Sequence, residues 1–195
     1  LPDQYKGRFQ SITGEESKGR SREARLQILE DAWVIWQQYP FGAGIEGFQV
    51  VRKQMFGASQ DTHNLYAQIL THLGIQALLV FIVFVTMLFK SLNRSLRRID
   101  EVRRMLSATA REDHSPVFLR GLGSFAFELD VVRAIVRSTK LLLYFILVNG
   151  LFAHTLYHVV WWFMTGVAFA SGGITFHLHH GAMVRRRAYL ARSAD

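Results

Sequence analysis

Two long stretches of the chain carry no charged side chain. Residues 64–89 and 141–180 contain no Asp, Glu, Lys or Arg, although the 195-residue chain holds 23 Lys and Arg and 15 Asp and Glu. A helix needs about 20 apolar residues to cross a hydrocarbon core roughly 30 Å thick, and both stretches are long enough. The sequence therefore predicts an all-α integral membrane protein.

The second stretch is about twice as long as one crossing requires. We therefore predict that residues 141–174 form a transmembrane helical hairpin, which turns near residues 153–158. Residues 64–89 are predicted to form a single transmembrane helix. The chain would then cross the membrane about three times.

The charges predict how these helices are oriented. Residues 90–140 hold 11 Lys and Arg against 6 acidic residues, and residues 181–195 hold 4 against 1, whereas residues 1–63 have eight of each. The positive-inside rule then places the basic segment 90–140 and a tail of residues 175–195 in the cytoplasm, and the loop 1–63 outside the cytoplasm. The pI near 10.2 reflects this topology and contact with membrane lipids, and it does not indicate a nucleic-acid partner.

The beginning of the chain and its lack of cysteine set further limits. Without cysteine there can be no disulfide and no thiolate metal site. The chain opens at Leu1, in the segment assigned to the outside, without a signal peptide. We therefore expect it to be the C-terminal part of a larger polytopic protein, with upstream transmembrane helices of the same parent as partners. Such a fragment is expected to be inactive alone.

An amphipathic helix is predicted in the outer loop, over residues 23–39. Its apolar residues recur at helical spacing until Pro40 ends it. Arg25 shares one side of this helix with Leu29, Ala32 and Trp36, so it is expected to point into the protein. From spacing alone, Arg25 either covers apolar surface and meets lipid headgroups or holds phosphate oxygens with its planar cation.

A histidine stands at the start of the first charge-free stretch. Asp61 or Thr62 is expected to cap a helix that begins near His63, and Asn64 is an alternative cap. His63 is then either an interfacial histidine or a base, because a neutral imidazole can accept a proton. His72, inside the span, is expected to form an interhelical hydrogen bond.

The remaining segments indicate secondary structure and do not indicate a catalytic or metal site. Residues 91–110 are predicted to form a basic amphipathic helix, which either lies on the inner leaflet or prolongs the spanning helix into the cytoplasm. Residues 113–123 are predicted to form a loop. The histidine pairs of residues 177–180 and of residues 154 and 158 have ligand-like spacing. No acidic residue lies near them in the sequence, so no metal site is predicted.

Four features follow one another in a fixed order. They are Arg25-Leu26, the turn P-F-G-A-G at residues 40–44, the sequence H-N-L-Y at residues 63–66, and Gly74 ahead of an apolar run. This order resembles the O-antigen ligase family, which includes O-antigen ligases, some O-antigen polymerases and protein O-oligosaccharyltransferases. The resemblance covers about residues 25–89.

The resemblance implies a membrane-embedded, inverting glycosyltransferase of the bacterial inner membrane that needs no metal or other cofactor. It would move a glycan from undecaprenyl pyrophosphate to a hydroxyl of a lipid A-core, polysaccharide or protein acceptor at the periplasmic face. His63 would activate or orient the acceptor hydroxyl, and Arg25 would offset charge on the departing pyrophosphate. Candidate supporting residues are Asn64, Tyr66, Arg52 and Lys53, although Arg52 and Lys53 are first expected to be solvated loop charges.

A different class of function also fits the pattern. The chain could be part of a non-enzymatic polytopic transporter or scaffold subunit, whose basic cytoplasmic helix binds lipid or a partner. The two hypotheses differ in whether His63 and Arg25 serve one site that opens to the outer leaflet.

Overall fold

The computed structural model of the chain describes residues 15–112, 116–153 and 158–192. Across these residues the chain forms five α-helices and no strand, so the prediction of an all-α fold is confirmed for them. In chain order the helices are α1 (Glu15–Gln38), α2 (Gly47–Phe56), α3 (Leu65–Glu112), α4 (Pro116–Asn149) and α5 (Val160–Arg192).

Helix α1 starts earlier than its apolar pattern indicated. It begins at Glu15, eight residues before the predicted start; more than half of the additional residues are Glu, Lys or Arg, which are good helix formers, and Gly19 is accommodated among them. Its buried residues include Ile28, Ala32 and Ile35, which form an apolar cluster with Phe48 of α2.

Helix α2 forms where the sequence predicted no definite structure. Its C-terminal cap is Gly57, which has a positive φ of 73° and whose N–H donates to the Lys53 carbonyl at 3.0 Å. A left-handed glycine of this kind commonly ends a helix. Phe48 and Arg52 are one turn apart, and both are buried.

Helix α3 is the longest element and is interrupted near its start. Gly74 has φ 80° and ψ −176°, so the backbone leaves the helical conformation there. Within the described residues, Leu65–Thr109 is the one helical stretch long and apolar enough to cross a membrane. Only 17% of its 18-residue apolar window, with mean hydropathy 2.3, is buried, whereas a core helix of a soluble protein buries its apolar face. The three predicted crossings stay a prediction.

The residues group into two compact units. The first contains α1, α2, α3 as far as Phe81, and the turn that begins at Val148. The second contains the rest of α3, α4 as far as Leu147, and α5. The apolar cluster of the second unit combines all three of these helices and consists of Ile99, Val102, Leu129 and Ala182.

Helix α4 corrects one loop prediction. It begins at Pro116, so residues 116–123 are helical instead of forming the predicted loop. Proline suits the first position of a helix, since its missing N–H would have no intrahelical acceptor there. Helix α5 begins at Val160, and residues 154–157 of the predicted hairpin turn lie outside the described residues.

Candidate active site

The loop between α1 and α2 docks on the break in α3. In a continuous helix the Ile75 N–H would donate to the Thr71 carbonyl, but at the break around Gly74 it donates to the Pro40 carbonyl at 3.0 Å. The Thr71 carbonyl accepts instead from the Ala43 N–H at 2.8 Å. The donor and the acceptor of the lost helical hydrogen bond are therefore both paired with backbone groups of the loop.

Two more hydrogen bonds join the loop to α3 one residue further along. The His72 carbonyl accepts from the Gly44 N–H at 3.0 Å, and the Gln76 side chain donates to the Phe41 carbonyl at 2.9 Å and also to the Leu73 carbonyl. Backbone N–H and C=O groups in an apolar environment must be hydrogen-bonded within the protein. The docked turn supplies these hydrogen bonds, and it thereby stabilises the break in α3.

Two glycines allow the turn to approach so closely. A Cβ atom on Gly42 would lie 2.8 Å from the Gly74 nitrogen and still closer to the His72 carbonyl oxygen, and one on Gly74 would lie 2.6 Å from the Phe41 Cα. Both glycines also have positive φ, 95° and 80°. The P-F-G-A-G turn and Gly74, which are separate motifs in the sequence, are thus two sides of a single backbone contact.

Asn64 is the N-cap of α3. Its Oδ1 accepts the backbone N–H groups of Tyr66 at 3.0 Å and Ala67 at 2.9 Å. The helix begins immediately after it, so the expectation that Asp61 or Thr62 caps a helix from residue 63 was wrong. Asp61 Oδ1 accepts instead from the Thr62 N–H at 2.7 Å, which organises the preceding loop.

A second contact fixes the same end of α3. The Leu65 N–H donates to the Gly150 carbonyl at 2.6 Å, and Asn64 Nδ2 donates to the Leu151 carbonyl at 3.0 Å. The turn after α4, which belongs to the first unit, therefore takes up an N-terminal donor that the helix itself cannot satisfy.

His63 lies directly before this cap and is exposed. Its φ of 46° is in the left-handed region, which costs a non-glycine residue about 1–2 kcal/mol. Backbone strain of this kind persists only where the surroundings impose it, and it is concentrated at functional sites. The structure therefore presents an accessible imidazole beside the positive end of a helix dipole.

Arg25 is exposed on α1, so the expectation that it points into the protein was wrong for the described residues. The buried stripe of α1 runs through Ile28 and Ile35, whereas Leu29, which shares the side of Arg25, is 38% exposed. The guanidinium is therefore open to a ligand from outside. The first unit thus holds Arg25 and His63 both at its surface.

Arg52 is buried and ion-paired, which corrects its prediction as a solvated charge. Its Nε donates to Asp31 Oδ2 at 2.8 Å, and the two side chains are 4% and 9% exposed. Its Nη1 donates to the Gln60 carbonyl at 3.2 Å, three residues before His63. Arg52 is buried because it shares the inward face of α2 with Phe48. It links α1, α2 and the loop that carries His63.

Asp31 was missed in the sequence, although a signal was available. It lies on the apolar stripe of α1, where it is 6% exposed. An acidic residue in such a position requires a buried cation or donors, since an unpaired buried charge is very costly. Lys53, next to Arg52, is exposed, as expected for a loop charge.

Three polar side chains of the first unit are buried with unsatisfied atoms. Both imidazole nitrogens of His72, Gln68 Oε1 and Trp36 Nε1 have no hydrogen-bond partner among the described residues. His72 and Gln68 are one turn apart on α3, so they share a face. The expected hydrogen bond of His72 is not formed within this part of the chain.

The histidine pairs do not assemble a metal site in the described ranges. His179 Nε2 lies 3.0 Å from Glu101 Oε2, so a carboxylate is near that cluster in space although none is near in sequence. His158 Nδ1 accepts a backbone N–H at the start of α5 at 3.3 Å, and His154 lies outside the described residues. No group of three potential ligands comes together where the structure is described.

Comparison with known families gives a match over the first part of the chain. Residues 2–82 match the family described as O-antigen ligase, which confirms the resemblance inferred from the four motifs over that segment. The matched segment holds Arg25, the docked turn, His63 and the break at Gly74. No curated protein and no solved structure matches the chain.

The O-antigen ligase family is membrane-associated, and it implies a glycosyltransferase-like ligase or polymerase whose partners are a lipid-linked glycan and an acceptor. The candidate membrane-spanning helix α3 agrees with that class, since its first turns belong to the matched segment.

Proposed function

We propose that the chain is part of a membrane glycosyltransferase that moves a glycan from undecaprenyl pyrophosphate to an acceptor hydroxyl at the periplasmic face of the bacterial inner membrane. The observation that carries the proposal is the position of His63. Its exposed imidazole follows a strained backbone, directly precedes the N-terminus of α3, and lies in the segment that matches the O-antigen ligase family.

In the proposed reaction the acceptor oxygen attacks the anomeric carbon of the glycan. The bond between that carbon and the pyrophosphate oxygen breaks, and its electron pair leaves with the pyrophosphate. The hydroxyl proton passes to the His63 imidazole. Attack from the face opposite the leaving group inverts the anomeric centre. A positioned base typically contributes about 10²–10⁴ in rate.

Arg25 is proposed to balance the charge that develops on the leaving pyrophosphate. An arginine can hold two phosphate oxygens at once, and the side chain of Arg25 is exposed on α1, where it can reach an external ligand. The positive end of α3 beside His63 adds a fixed dipole that favours an anion. Fixed positive groups of this kind would stabilise the departing charge without a metal ion.

The supporting residues receive roles that follow from their contacts. Asn64 fixes the backbone next to His63 through its cap, and Arg52 holds the preceding loop through the Gln60 carbonyl. These are positioning residues. Tyr66, in the first turn of α3, and the exposed Lys53 are candidates for direct contact with the glycan or its phosphates.

The topology of the whole chain is also a proposal. Residues 1–63 would lie in the periplasm, residues 64–89 and the hairpin 141–174 would cross the membrane, and residues 90–140 and 175–195 would lie in the cytoplasm. The low burial of the apolar window of α3 supports a lipid environment for that helix. The charge asymmetry supports the orientation.

The test is glycan transfer by the full-length protein, purified in lipid, with an undecaprenyl pyrophosphate-linked glycan as donor. Lipid A-core, polysaccharide and protein acceptors are offered separately, so that the productive one identifies the reaction. His63→Ala and Arg25→Ala are expected to reduce transfer by at least about 100-fold. The matched controls are His177→Ala and Arg97→Ala, which remove exposed residues of the same types from the second unit.

The outcomes separate the alternatives. Loss of transfer in both site variants, with the controls active, would support the proposed roles. Normal transfer by His63→Ala would remove the proposed base. Absence of transfer by the unmodified protein to every acceptor would favour a transporter or scaffold.

A further inference from the structure

The second unit contains an open cavity lined by arginines. Its volume is about 490 Å³, which is in the range of sites that bind small ligands. Helix α3 supplies most of the lining, and α4 supplies one arginine. The lining residues are Asp100, Arg103, Arg104, Ser107, Ala108 and Arg133.

The charges around this arginine cavity do not balance. Arg133 Nη2 binds Asp100 Oδ1 at 2.8 Å, and Arg103 pairs with Asp130 at the rim. Arg104 is left without a carboxylate partner among the described residues, since its Nε donates only to the backbone carbonyl of Asp100 at 3.3 Å. The cavity therefore keeps a surplus positive charge, carried by an exposed guanidinium.

A second donor in the cavity is unused. Arg133 Nε is buried and has no hydrogen-bond acceptor in the described part of the chain, although the other end of the same guanidinium binds Asp100. Buried donors nearly always have an acceptor. An acceptor that comes from outside the chain would satisfy this one after a rotation of the Arg133 side chain that exposes Nε.

We propose that the arginine cavity binds a phosphate group, with Arg104 and Arg133 as its main ligands. A guanidinium presents parallel N–H donors that match two phosphate oxygens, and a phosphate has enough oxygens to serve both arginines. The surplus charge of the cavity is neutralised by such an anion.

A phospholipid headgroup and a soluble phosphate compound share this chemistry. The cavity lies on the charged continuation of the candidate membrane helix, eleven or more residues after the charge-free stretch that ends at Phe89, and the positive-inside rule predicts that this segment is on the cytoplasmic side. The site is in the second unit and does not depend on the proposed glycosyl transfer.

The experiment measures binding directly. A fluorescent short-chain phosphatidylglycerol is added to the full-length protein in neutral, phosphate-free detergent, and its anisotropy is followed as the protein concentration rises. Unlabelled phosphatidylglycerol, inorganic phosphate and zwitterionic phosphatidylcholine are then used as competitors. The variants are Arg104→Gln and Arg104→Glu, which leave the pair of Arg133 with Asp100 intact. Arg97→Gln, which removes an exposed arginine of the same helix outside the cavity, is the matched control.

We expect saturable binding that Arg104→Gln weakens about tenfold, as for one lost charge-assisted hydrogen bond, and that Arg104→Glu weakens further. Arg97→Gln should change the affinity less than twofold. Displacement by phosphatidylglycerol alone identifies a headgroup site, and displacement by inorganic phosphate identifies a site for soluble phosphates. Equal weakening by Arg104→Gln and Arg97→Gln, or no saturable binding of the probe or of phosphate, would overturn the proposal. Because glycan transfer is not the readout, failure here would leave the transferase proposal unaffected.

Discussion

Gly42→Ala is expected to destabilise the first unit much more than the same change at Gly44. The two glycines have nearly equal positive φ values, 95° and 92°, so alanine meets a similar backbone penalty of about 1–2 kcal/mol at each. Their surroundings differ. A Cβ on Gly44 would meet nothing within 4 Å, whereas one on Gly42 would press on the backbone of His72 and Gly74.

The additional cost can be worked out from the docked turn. Because the opposing atoms are backbone, a methyl group on Gly42 fits only if the turn moves away from α3. That movement would lengthen or break three hydrogen bonds of 2.8–3.0 Å, donated by Ala43, Gly44 and Ile75. Each contributes about 0.5–1.5 kcal/mol net, so Gly42→Ala should cost up to about 4.5 kcal/mol, and at least about 1.5 kcal/mol, beyond the penalty that it shares with Gly44→Ala.

Two measurements test this difference in the full-length protein. Thermal unfolding in detergent, followed by tryptophan fluorescence at one heating rate, should give a midpoint at least about 5 °C lower for Gly42→Ala than for Gly44→Ala. Amide hydrogen exchange should become faster at residues 40–44 and 71–76 in Gly42→Ala only. Equal midpoints together with equal exchange in the two variants would refute the docking of the turn as the reason for Gly42.

Three further predictions concern the surroundings of His63. Arg52→Ala should destabilise the protein by about 3–5 kcal/mol in the same unfolding assay, because Asp31 would stay buried without its cation. The double change Asp31→Leu with Arg52→Met should cost far less, because it leaves no unpaired buried charge. Asn64→Ala should cost about 1 kcal/mol through loss of the N-cap and should lower glycan transfer while leaving donor binding little changed. His63→Gly should abolish transfer and should be about 1 kcal/mol more stable than His63→Ala, since glycine adopts the left-handed backbone without the steric penalty of a Cβ.

Each of these predictions has a result that would contradict it. A double variant as unstable as Arg52→Ala would mean that the charge pair is not the source of the stability. Unaltered transfer in Asn64→Ala would remove that side chain as a positioning residue. A His63→Gly variant no more stable than His63→Ala would mean that the left-handed backbone is not a source of strain.

The helices could largely be predicted from periodicity, but the break in α3 could not. A glycine inside an apolar run is compatible with a continuous helix, and Gly74 gives no local sign that the chain leaves the helical conformation there. The break exists because residues 40–44 supply the missing hydrogen bonds, and this partner is about thirty residues away in the sequence. Local patterns do not carry information of that kind.

The candidate site was predictable in its residue types and less so in its environment. The motif order pointed to His63 and Arg25, and the family match includes both. The burial of Arg52 was not predicted, because a neighbouring lysine and a loop-like composition suggested a solvated segment. The exposure of Arg25 was also not predicted. The side of α1 that was expected to face the protein is rotated about the helix axis from the side that is buried.

The N-cap and the docked turn hold α3 at two points along its first turns. Gly74, on which the turn docks, lies ten positions after the N-cap Asn64, and His63 directly precedes Asn64. At about 1.5 Å and 100° per residue, inserting or deleting one residue between them would swing His63 to another side of the helix. The length of this short segment is therefore more strictly constrained than its composition, and insertions should be tolerated only outside it.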